Sequence, residues 1–87
     1  MKLEVTRITQ DGKVRRRLLD TTGRIDAGRW EHLLSQSPAS PPPYRPAAGD
    51  TVYQVSVDEQ TFMVTEDDLN GGLRELVVAV LAEGEEV

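Results

Sequence analysis

The chain has no cysteine, a single histidine, and only four aromatic residues: Trp30, Tyr44, Tyr53 and Phe62. Without thiols it has no disulfide staples and no thiolate metal sites, which fits a reducing compartment. Its longest uninterrupted apolar run covers seven residues, 76–82, too few to cross a bilayer. The opening MKLEVTRITQ is polar and alternating, unlike the apolar centre of a secretory leader. These absences lead to the expectation of a cytoplasmic protein with no membrane partner.

Basic residues are also missing from one half. Residues 50–87 hold ten of the fifteen acids and a single base, Arg74. Residues 1–31 hold eight Lys/Arg against five Asp/Glu, and the formal net charge is −5. The two halves therefore offer opposite potentials to a partner. The acidic balance argues against nucleic-acid binding, which relies on excess Lys/Arg facing phosphates. A chain of 87 residues makes a single domain over 1–87, with one two-layer core and a net stability of about 5 kcal/mol.

What is present reads as hairpins and helices. Residues 2–9 alternate, with Leu3 and Val5 on one face, until Ile8 breaks parity and suggests a bulge or a strand end near Arg7. Gln10, Asp11 and Gly12 supply a hairpin turn, because Asp-Gly readily takes positive φ. Residues 13–21 return as a strand of ambiguous facing: Val14, Arg16 and Leu18 on one side, Arg15, Arg17 and Leu19 on the other. Asp26 is placed to cap a helix from 27 to about 36, with Trp30, Leu33 and Leu34 on its buried stripe. Five prolines between 38 and 50 make a stiff connection. Residues 51–57 and 61–65 form a second hairpin around Asp58, Glu59 and Gln60; the first strand sets Tyr53, Val55 and Val57 against Val52, Gln54 and Ser56, and the second sets Phe62 and Val64 against Met63. A short turn at 66–69 precedes a helix over 72–83, and 84–87 reads as a frayed tail. The expected fold is α+β: a two-layer sandwich with a four-stranded, mostly antiparallel sheet and two helices on one face, in ββαββα order.

No constellation supports catalysis. His32 and Ser35 share one helix, an arrangement that seldom aligns a hydroxyl, a base and an oxyanion site. Glu66, Asp67 and Asp68 lack the alternating ligands and turn glycine of a calcium loop and read as helix first-turn acids. Arg15, Arg16 and Arg17 alternate faces in a strand, so at most two share a surface. Gly71 and Gly72 lack the GxxxxGK[ST] pattern of a phosphate cradle. The expectation is a protein that is not an enzyme and uses no metal or cofactor.

Several short motifs, in order, carry a resemblance: the opening Met1-Lys2-Leu3-Glu4-Val5-Thr6-Arg7; the basic strand at Arg16 and Arg17; Trp30 with Leu33; Val52-Tyr53-Gln54-Val55; Glu66 with Leu69; and Leu73-Arg74-Glu75-Leu76-Val77. Through them, from Met1 to about Leu81, the chain resembles the emfourin family, small protein inhibitors of protealysin and related thermolysin-like zinc metallopeptidases. The resemblance implies a partner peptidase, an active-site cleft blocked by pre-ordered loops, and an inhibitor that is monomeric when free. It departs where the family carries a Ser-Gly-Gly-Phe-like turn, since this chain has Ile8-Thr9-Gln10-Asp11-Gly12 and no aromatic tip. The partner-binding residues expected on this reading are Thr9, Gln10, Asp11, Gly12 and Lys13. Asp58, Glu59 and Gln60 join them if the strand order brings both turns to one end. For Asp11 the alternatives are an approach to the peptidase zinc or, the preferred one, a salt contact at the cleft rim. The alternative function is a non-catalytic interaction or regulatory module that pairs an acidic C-terminal half with a basic protein.

Overall fold

The computed structural model describes residues 1–36, 44–47 and 49–86. Most of the proline-rich connection expected over 38–50 lies outside them. The elements run β1 (Lys2–Ile8), β2 (Val14–Asp20), α1 (Ala27–Ser35), β3 (Val52–Val57), β4 (Gln60–Thr65), a single 3-10 turn at Glu66–Asp68, α2 (Gly71–Glu83) and β5 (Glu85–Glu86). The sheet is antiparallel throughout, in the order β4-β3-β1-β2-β5.

The α+β class and the two hairpins follow the sequence, but the strand count does not. The sheet has five strands, because Glu85 and Glu86 pair with Leu18 and Arg17 where a frayed tail was expected. Gly84 makes this possible: its N–H closes the last helical bond, to the Val80 carbonyl at 2.7 Å, its backbone then turns extended, and the missing Cβ lets it pass close to Arg17 and Leu18 of β2. Glu86 then lies 3.5 Å from the Arg17 guanidinium.

Register fixes which residues face inward, since directly opposed residues in an antiparallel pair share a face. Leu3 opposes Leu19 and Val57, Val5 opposes Val55, and Tyr53 opposes Val64. Leu3, Val5, Leu19, Tyr53, Val55 and Val64 are all buried, in one cluster with Trp30 and Leu33 of α1 and Leu73, Leu76, Val77 and Val80 of α2. Pairing with Leu3 thus resolves β2: Leu19, Arg17 and Arg15 lie on the helix side, and Leu18, Arg16 and Val14 on the open side. No bulge interrupts β1; Ile8 pairs with Val14 and Val52 as the last residue of a regular strand and simply points to the open face.

Both helices begin close to their expected positions. Asp26 sits at the start of α1 but makes no side-chain cap hydrogen bond. Its carboxylate instead takes two bonds from Arg24, Nε at 2.8 Å and Nη2 at 3.1 Å. A forked charge-assisted pair outcompetes a single backbone N–H. Chiefly for this reason the Asp26 carboxyl is lowered to about 2. Gly72 is required by packing, because a Cβ there would meet the Gln36 carbonyl carbon and oxygen at 2.8 Å.

Candidate functional site

The strand directions decide which turns can act together. Turn 9–13 follows Ile8 of β1, whereas Asp58 follows Val57, which pairs with Leu3 at the other end of β1. Asp58 accepts from the Lys2 N–H at 2.9 Å and donates its own N–H to the Lys2 carbonyl at 2.8 Å. The two turns therefore lie at opposite ends of a seven-residue strand, roughly 20 Å apart. Thr9, Gln10, Asp11, Gly12 and Lys13 form one group; Asp58, Glu59 and Gln60 do not join it. What does share their end is the 21–26 loop, tied by the Thr21 N–H to the Met1 carbonyl at 2.9 Å.

Turn 9–13 is braced by its own residues. The Thr9 N–H donates to the Lys13 carbonyl at 3.0 Å, and the Gly12 N–H to the Thr9 carbonyl at 3.0 Å. Gly12 takes a φ of 84°, the left-handed region that a residue with a Cβ enters at a cost. Asp11 is the centre of the brace: its Oδ1 accepts from the Thr9 hydroxyl and, at 3.3 Å, from the Lys13 N–H. The Thr9 hydroxyl first, then the Lys13 N–H, hold the Asp11 carboxyl below the ordinary carboxylate range. Its second oxygen lies 3.8 Å from Lys13 Nζ. Gln10 leans away, toward Gly49, where a Cβ would meet its Oε1 at 2.6 Å.

On the open face beside this turn, Ile8 lies between Val14 and Val52, and Val14 is 62% exposed. On the helix face at the same end, Arg7 stands directly opposite Arg15 and Tyr53. Alternation alone does not couple Arg7 with Arg15; the signal in the sequence is the Arg7-x7-Arg15 spacing around a five-residue turn. Burial first, and then the neighbouring Glu66 charge, raise the Tyr53 pKa, so its hydroxyl stays protonated and faces Glu66 Oε1 at 3.4 Å.

The other singled-out residues have structural roles. The Ser35 hydroxyl donates to the His32 backbone carbonyl at 2.7 Å, while the exposed imidazole meets the Gln36 amide at 3.1 Å. Serine and imidazole are thus not paired with each other. Asp68 accepts from the Thr65 hydroxyl at 3.1 Å, and among the described residues no group of three His, Asp or Glu side chains is placed to hold a metal ion. Trp30 is fully buried, with Arg29 and Arg24 stacked 5.2 and 5.9 Å from its ring centre. No helix among the described residues is long and apolar enough to cross a membrane. Comparison with protein-family models, curated proteins and solved structures found no match to this chain.

Proposed function

We propose that the chain is a non-catalytic inhibitor of a thermolysin-like zinc metallopeptidase, occluding the peptidase cleft with turn 9–13. The observation that carries this reading is the turn's internal bracing through Thr9, Asp11, Gly12 and Lys13. A loop ordered before binding loses little conformational entropy on entering a cleft. The resemblance to emfourins adds the class of target. The residues that carry it, such as Leu3, Val5, Trp30, Leu33, Leu73 and Leu76, are core residues; they support a shared scaffold, while the acting turn is this chain's own. With its Oδ1 engaged inside the turn and its Oδ2 3.8 Å from Lys13 Nζ, Asp11 serves as a brace with a contact at the cleft rim.

The alternative, an acidic module for a basic partner, has less to rest on. Glu83 is engaged by Arg29 at 3.1 Å and Arg24 at 3.8 Å, and Glu86 by Arg17. The basic and acidic halves read from the sequence thus partly neutralise each other within the molecule. The test is peptide hydrolysis by several thermolysin-like enzymes with added protein. Stoichiometric slowing supports the inhibitor reading; full activity at micromolar protein across all of them rejects it.

A further inference from the structure

Four of the chain's arginines have a carboxylate within ion-pair distance: Arg16 has Glu4, Arg17 has Glu86, and Arg24 and Arg29 share Glu83. Arg7 and Arg15, like the exposed Arg45 and Arg74, have none among the described residues, and only Arg7 and Arg15 face each other directly, across β1 and β2. Like charges at directly opposed strand positions repel. An anion bound by both would offset that repulsion. Part of their donor capacity is already used, since Arg7 also meets the Tyr53 hydroxyl, but part is free. Arg15 gives one Nη2 bond to the Leu81 carbonyl at 3.2 Å, and the Arg7 Nε–H is buried with no hydrogen-bond partner. The acids nearest this end are occupied, Asp11 by Thr9 and Lys13 and Glu66 by Tyr53.

Space is present on both sides of the pair. One cleft, of about 370 Å³, is walled by Arg7, Arg15 and Tyr53 below and by Val78, Leu81 and Ala82 of α2 above. A second, of about 410 Å³, continues past the same two arginines to Thr9, Lys13 and Val14. We propose that Arg7 and Arg15 form a binding site for an oxyanion, a carboxylate or a phosphate. Paired guanidinium groups suit such ligands because their N–H forks match two oxygens at once. The site needs no peptidase and stands or falls apart from the inhibitor reading.

The experiment follows the arginine Nε–H signals by NMR during titration with inorganic phosphate and, separately, acetate, against sodium chloride at equal ionic strength. The site predicts saturable shifts at Arg7 and Arg15 in the low millimolar range, with exposed Arg45 and Arg74 following the chloride control. Arg15→Gln weakens binding roughly tenfold, in line with the loss of a charge-assisted contact, and Arg7→Gln does the same where its amide spectrum keeps the native pattern. Tighter binding of phosphate marks a phosphate-bearing ligand; equal or tighter binding of acetate marks a carboxylate such as a partner's acidic side chain. Shifts that are linear, that match chloride, or that persist unchanged in Arg15→Gln overturn the site.

Discussion

The two ends of the β1–β2 pair use the same strands, the same face and the same alternation to opposite effect. At one end Leu3 opposes Leu19, both buried, and Thr21 ties down the first residue. At the other end Arg7 opposes Arg15 with no ion-pair partner among the described residues, and a braced turn projects beyond them. The first end is built for stability, since apolar area removed from water is worth about 25 cal/mol per Å². The second accepts like-charge repulsion between directly opposed residues, and such costs persist where binding uses them. Function in this molecule is therefore sought at the end where like charges are held together.

The largest effect belongs to the apolar core that backs both ends. Leu76 is 1% exposed, and Leu76→Ala is expected to cost about 2–5 kcal/mol, most of a marginal stability of about 5 kcal/mol. Urea denaturation measures it, and a loss below about 1 kcal/mol breaks the assignment of stability to that cluster. Next comes Gly72→Ala, which drives a Cβ into the Gln36 backbone and is expected to cost about 1–3 kcal/mol as overpacking. Gly12→Ala forces a Cβ into a φ of 84°, so the same denaturation assay is expected to show a loss of about 1 kcal/mol. Because the turn is exposed, the amide spectrum outside 9–13 stays native.

Arg15→Gln is expected to move stability by less than about 1 kcal/mol, and upward, because it relieves a cross-strand like-charge pair. A larger loss in thermal denaturation would mean the basic end is structural after all. The smallest effect is a pH dependence at the apolar end. The Asp26 carboxyl is lowered from 3.8 to about 2, first by Arg24. A depressed folded-state value gives stability that is present above 3.8 and is lost as pH falls toward 2. Melting temperatures across that window should drop less steeply in Asp26→Asn than in the native chain.

Much of the fold was legible because alternation and helical spacing record burial directly. Leu3 and Val5, Tyr53 and Val55, and the stripe of Trp30 with Leu33 all lie where periodicity puts them. The second strand was ambiguous because arginines and leucines occur on both of its faces; only the pairing of Leu19 with Leu3 decides between them. The fifth strand was hidden because Glu85 and Glu86 carry no apolar signal, and their pairing depends on β2 and Arg17, far away in sequence. The candidate turn was visible in Asp11 and Gly12, but the separation of 58–60 from it depends on strand order, which periodicity does not encode. Asp26 was rightly placed at the helix start, yet its bond to Arg24 is a competition between local partners that spacing alone does not rank.

The most direct measurement is an amide NMR map of the labelled chain on addition of an active-site-accessible thermolysin-like peptidase, repeated with the peptidase cleft blocked by a small zinc-chelating inhibitor. Signals from residues 9–15 should broaden or shift with the open enzyme and recover with the blocked one, while 21–26 and 58–60 stay unchanged. Perturbation confined to the 21–26 and 58–60 end, or no difference between open and blocked enzyme, would contradict the account.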